Sequence, residues 1–145
     1  MFPINQTAAK AYSSVAIESS CMSASPHGLI LMLYDGAMIS VAAARMHIQL
    51  NQPVEKSKAI SHAVAIISDG LMASLDRNAG GDIAESLMSL YQYMVERLTE
   101  ANIRNQAQPL EEVGHLLAEL NDAWQAIGTA SQTQAAVTVG GSGRD

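Results

Sequence analysis

Four histidines, one cysteine and two short acidic motifs are the residues with which this 145-residue chain could do chemistry. Glu112-x-x-His115 puts a carboxylate and an imidazole on one helical face, which is one of the two helix motifs of a di-iron bundle site. The full site needs a second copy and two further inward carboxylates, and no other histidine has a glutamate three residues before it. His27, His47 and His62 show no metal-ligand spacing with His115 or with one another. The string Asp76-x-Asn78-x-Gly80-Gly81 begins like a calcium loop, then places Gly80 at position five and Leu87 at position twelve, where a bidentate glutamate belongs. It predicts a turn instead. Cys21 has no obvious basic partner nearby to activate its thiol, and Ser14 stands in no triad motif. The GGSG of the tail lacks the strand and helix of a phosphate-binding loop. No catalytic residue, metal or cofactor is predicted, and the chain is expected not to be an enzyme.

The elements that would position any site are helical. The stretch Pro26 to Ala44, PHGLILMLYDGAMISVAAA, opens on a good N-cap, Ser25, with proline at the first helical position. Leu29 to Leu33 cover every direction of a 3.6-residue turn, so one side should face a core and another a partner. A membrane span is not expected, because Asp35 sits at the centre of the run and no Lys/Arg cluster flanks it. Asn51-Gln52-Pro53 breaks the chain and opens a second helix with the stripe Ile60, Val64, Ile67, Leu71, Leu75. A turn over 76–81 leads to a third stripe, Ala84, Leu87, Tyr91, Met94, Leu98, Ala101, close to a heptad seam. Pro109 opens a fourth helix with Val113, Leu117, Leu120, Trp124 and Ile127 on one face, and Gly128 is expected to end it.

Four helices joined by short breaks pack as antiparallel neighbours, which predicts an all-α, up-down-up-down four-helix bundle. Residues 20–128 are assigned to the bundle and 1–19 to a short N-terminal helical segment. Residues 129–145, small, polar and glycine-rich, are assigned to a flexible tail.

Composition narrows the function. Hydrophobic residues make up 48% of the chain and charged residues 15%, against about 25% in ordinary soluble domains, so too few charges remain to coat the outside. Such a surface favours a protein partly covered by another molecule, and eight methionines make it adaptable. The net charge of −6 argues against nucleic acid. A single cysteine and an N-terminus without a basic region followed by an apolar one fit a cytoplasmic protein.

Taken in order, Ala11-Tyr12, PHGLILMLYDGA (26–37), GGDIAESLMSLYQYM (80–94), LTEAN (98–102) and the late Trp124 closely resemble the flagellin-specific export chaperones, the FliS family. The likeness covers about residues 10–127. It implies a cytoplasmic helical bundle that binds the disordered C-terminal segment of flagellin, prevents premature polymerisation and delivers it to the flagellar type III export apparatus. It also implies that the segment carrying Tyr12 lies over part of the binding surface in the free state. Export components and flagellar regulators are further candidate partners, and a homodimer is compatible with the same apolar excess. The alternative reading is a homo-oligomeric structural bundle that buries this surface against itself. Helix-in-groove binding makes Tyr12, Leu33, Tyr34, Leu90, Tyr91 and Tyr93 the expected contacts. Gly36, Gly80 and Gly81 would allow close backbone approach.

Overall fold

A computed structural model of the chain describes residues 25–144, with the backbone alone for Arg77 and for 129–144. The described residues form four helices and no strand, so the expected all-α bundle is the observed fold. Helix α1 (Pro26–Gln49) runs up to the break expected at Asn51. Its start is the expected one, with Ser25 Oγ accepting from the Gly28 amide at 3.1 Å and satisfying one of the free first-turn donors. Helix α2 (Pro53–Ala65) continues without a break into a π-helical segment, Ile66–Met72. Helix α3 (Arg77–Arg104) is capped by Asp76, and helix α4 spans Gln108–Arg144.

Each helix contributes a seam at alternating spacings of three and four. Tyr34, Ala37, Val41 and Ala44 of α1 meet Ile60 and Ala63 of α2 and Ile67 and Leu71 of the π-helical segment. Tyr91, Met94, Leu98 and Ala101 of α3 meet Leu110, Val113 and Leu117 of α4. Helix α1 packs on α2 and α4, and α3 packs on the same two, which is the square of an antiparallel bundle. By length and composition alone α1 could cross a membrane, but its seam is buried in this core.

Two expectations are corrected. Residues 76–81 hold one capped helical turn rather than an open loop: Asp76 Oδ1 accepts from the Asn78 and Ala79 amides, so Arg77 already begins α3, and the break in the helix falls at non-helical Gly81. Gly128 does not end α4, whose backbone continues to Arg144. Interior glycine costs a helix only about 1 kcal/mol relative to alanine, and the alanines and glutamines beyond it are good helix formers. Ile127, expected on the buried face, is exposed.

The end of the bundle where α2 starts and α3 stops is pinned by a buried cation. Lys56, 6% exposed, donates through Nζ to the Asn102 carbonyl and to Asn105 Oδ1, both at 3.1 Å. Asn105 holds the left-handed C-cap of α3 (φ 54°), so the ammonium sits on the negative end of that helix. Ser57 Oγ adds a bond to Asn102 Oδ1 at 3.0 Å. Between α1 and α2, His62 Nδ1 lies 3.0 Å from Ser40 Oγ, and burial pushes the imidazole pKa below its ordinary 6.5.

Replacing Lys56 with methionine keeps the stem and removes the donor. It should cost about 1 to 3 kcal/mol in a urea titration; an unchanged midpoint would contradict the cap. Because the folded-state pKa of His62 is depressed, its contribution is full above about pH 6.5 and is lost as pH falls through the folded value. Wild type should therefore be less stable at pH 5.5 than at 7.5, and His62→Asn should narrow that gap. An equal gap in both proteins would assign the acid sensitivity elsewhere.

Candidate functional site

At the opposite end, where α1 and α3 begin, the helices leave a groove of about 660 Å³. One side is α1, through Leu29, Ile30 and Leu33. The other is α3 past its kink, through Ile83, Ala84 and Leu87; the first turn of α3 adds Ala79 and Gly80, and the link after the π-helical segment adds Leu75. Trp124 of α4 closes the set, and the polar groups are few: His27, Ser74 and Asp76. Leu33 is held in place by the π-helical segment. A Cβ at Gly70 would come 2.9 Å from Leu33 Cδ2, so glycine there lets the two helices approach.

Tyr34 and Tyr91 reach the groove from α1 and α3, each only 2% exposed, with their hydroxyls 2.5 Å apart. Burial is the main cause pushing both phenols above their ordinary value of 10, so both are neutral at physiological pH. They form a neutral pair, each offering the other a hydrogen-bond partner away from water.

Beside this pair, His27 stacks on Trp124 with ring centroids 4.9 Å apart and planes 12° from parallel. Trp124 Nε1 also donates to the His27 carbonyl at 3.2 Å. A Cβ at Gly128 would overlap His27 Nε2, so this glycine makes room for the imidazole rather than stopping α4.

Of the expected contact residues, Leu33, Tyr34, Gly80 and Tyr91 line the groove together. Gly81 adjoins it at the kink of α3. Gly36 is buried on α1, and Leu90 is half-buried against the core. Tyr93 lies at the α3–α4 seam, where its hydroxyl donates to Glu112 Oε2 at 2.5 Å. Tyr12 lies outside the described residues. Sequence reading missed Leu29, Ile30, Leu75, Ile83, Leu87 and Trp124 as groove residues. The signal for Ile83 was present, since it is apolar yet falls off the Ala84–Leu87–Tyr91 seam.

The acidic motifs resolve into structural roles. Glu112 accepts from Tyr93 and from Arg97 Nε, the latter at 2.6 Å, and these bonds, Tyr93 first, hold its carboxyl below the usual range. Arg97 also pairs with Glu100 at 2.7 Å. Asp76 is a helix cap, and among the described residues no group of three or more His, Cys, Asp or Glu is arranged to hold a metal ion.

The tyrosine pair gives a sharp test. Tyr34→Phe or Tyr91→Phe alone leaves a buried hydroxyl without that partner and should cost about 1 to 3 kcal/mol, whereas the double variant should recover part of the loss. Strict additivity in the unfolding cycle would show that the hydroxyls are not coupled.

Comparison with known proteins bears out the resemblance carried by the LYDGA and GGDIA motifs. Residues 8–131 match the family model described as Flagellar protein FliS. The chain is 47% identical over 125 residues to the flagellar secretion chaperone FliS of Salmonella typhimurium, spanning 86% of this chain and 93% of that protein. It is 41% identical over 120 residues to the flagellar secretion chaperone FliSB of Pseudomonas aeruginosa, spanning 83% and 94%. To the flagellar secretion chaperone FliS of Bacillus subtilis it is 32% identical over 108 residues, spanning 74% and 79%. With a family match over most of its length and relatives of which it covers 79 to 94%, the chain belongs to the FliS family of flagellar secretion chaperones.

Proposed function

We propose that this protein is a cytoplasmic chaperone, without catalysis, that takes the disordered C-terminal segment of flagellin into the groove at the α1–α3 end. There it would keep the subunit from polymerising early until delivery to the flagellar type III export apparatus. The observation that carries the reading is the groove itself: about 660 Å³, walled by leucines and isoleucines and nearly free of charge. An amphipathic client helix would lay its apolar face against those walls, the helix-in-groove mode. Folding on binding costs such a segment roughly 2 to 5 kcal/mol, so the contact has to be broad. Leu90 and Tyr93 would then meet a client that continues past the groove along α3.

A second reading, a homo-oligomer, is favoured by a different feature: Ile39, Met46, Leu50 and Val54 are all exposed. Light scattering that finds a dimer unaffected by client would support it.

Calorimetry with the flagellin C-terminal segment should give a one-to-one complex with a Kd below about 10 µM. Ile83, 73% exposed, can be changed without touching the core. Ile83→Asp should weaken binding at least tenfold, equivalent to about 1.4 kcal/mol, while leaving the melting temperature in place. No heat of binding from folded wild-type protein would sink the reading.

A further inference from the structure

Two adjacent glycines in α3 are explained neither by the core nor by a helix end. Gly81 has φ 56° and ψ −131°, a backbone conformation that side chains with a Cβ rarely adopt, at the point where the first turn of α3 kinks away from the rest of the helix. Nothing lies within 4 Å of where its Cβ would be, so backbone conformation rather than crowding demands glycine there. Gly80 is required for the other reason. A Cβ on it would fall 2.7 Å from the Ala84 Cβ, whereas residues four apart on a regular helix keep about 5 to 6 Å.

The kink therefore folds the first turn of α3 down over Ala84. That turn is closed on itself, by the Asp76 cap and by a 2.7 Å bond from the Gly80 amide to the Asp76 carbonyl. Asn78, Ala79, Gly80 and Gly81 are all exposed, so the kink buries none of them in the core. What it does shape is the groove, onto which Asp76, Ala79 and Gly80 face.

We propose that Gly80 and Gly81 are positioning residues for the client: together they set the first turn of α3 as the end wall of the groove, against which the bound flagellin helix stops. The proposal rests on the chaperone reading above and adds to it the part of the chain that limits how far the client helix extends. Replacing both glycines with alanine removes the need for the kink and favours a straight α3, because alanine is the better helix former.

The test is Gly80→Ala/Gly81→Ala in the full chain, measured against the flagellin C-terminal segment as a purified peptide. The wall predicts a melting temperature equal to or above wild type together with at least a tenfold loss of affinity, a combination that a merely stabilising role for the turn would not produce. Wild-type affinity in the folded double variant would overturn it. Amide chemical-shift mapping on wild type decides independently of how the variant folds. Added peptide should move the resonances of Asn78 to Gly80 along with those of Leu87 and Tyr91. Shifts confined to Leu87 and Tyr91 would remove the wall but leave the groove reading intact. If wild type shows neither shifts nor binding, the chaperone reading and the wall fall together.

Discussion

The groove end of this bundle depends on two phenols that meet across the core. Tyr34 and Tyr91 stand on helices that are not neighbours in the square, and their hydroxyls contact at 2.5 Å. Elsewhere the seams carry alanine, at 37, 44, 63 and 101, and these small residues let the backbones approach. At the tyrosine level the two large side chains hold α1 and α3 apart while satisfying each other's polar atoms. A smaller pair would let the end close; a pair with unmatched polar groups would bear the cost of burying them.

Around that pair, glycine placement sets the shape of the site. Gly70 admits Leu33 and Gly128 admits His27, each by omitting a Cβ that would collide. The same device works across a large sequence separation, since Gly128 and His27 belong to the last and first described helices. Long-range contacts of charged side chains are found elsewhere: Lys56 at the far end, and Arg97 with Glu112 along the α3–α4 seam. The groove end is held by packing and by hydrogen bonds between neutral groups, the Tyr34–Tyr91 pair and the Trp124 indole on the His27 carbonyl.

The sequence made the bundle legible because its rules are local. Heptad spacing named most of the core, Ser25-Pro26 and Pro53 marked two helix starts, and Asn51 and Asn105 marked the breaks that the left-handed residues fill. The motif order also pointed to the family. What stayed hidden was non-local. Gly128 resembles a C-cap until His27, far away in the chain, is placed against it, and the Gly80–Gly81 pair resembles a loop until the Asp76 cap starts the helix early. The groove residues were hidden for a related reason. Leu29, Leu75 and Leu87 look like core by period, and only the packing decides that they line a recess instead. Tyr93 stands inside the family motif, and only the fold shows that its hydroxyl reaches Glu112.

One further consequence concerns the single tryptophan. Trp124 lines the groove, and its indole lies nearly parallel to the His27 ring. The chain thus carries a natural fluorophore, packed on a ring of its own, in the lining of its own recess. Any occupant that pries His27 from the indole, or draws the two closer, changes the emission. The molecule can report on its own occupancy in solution, without a label.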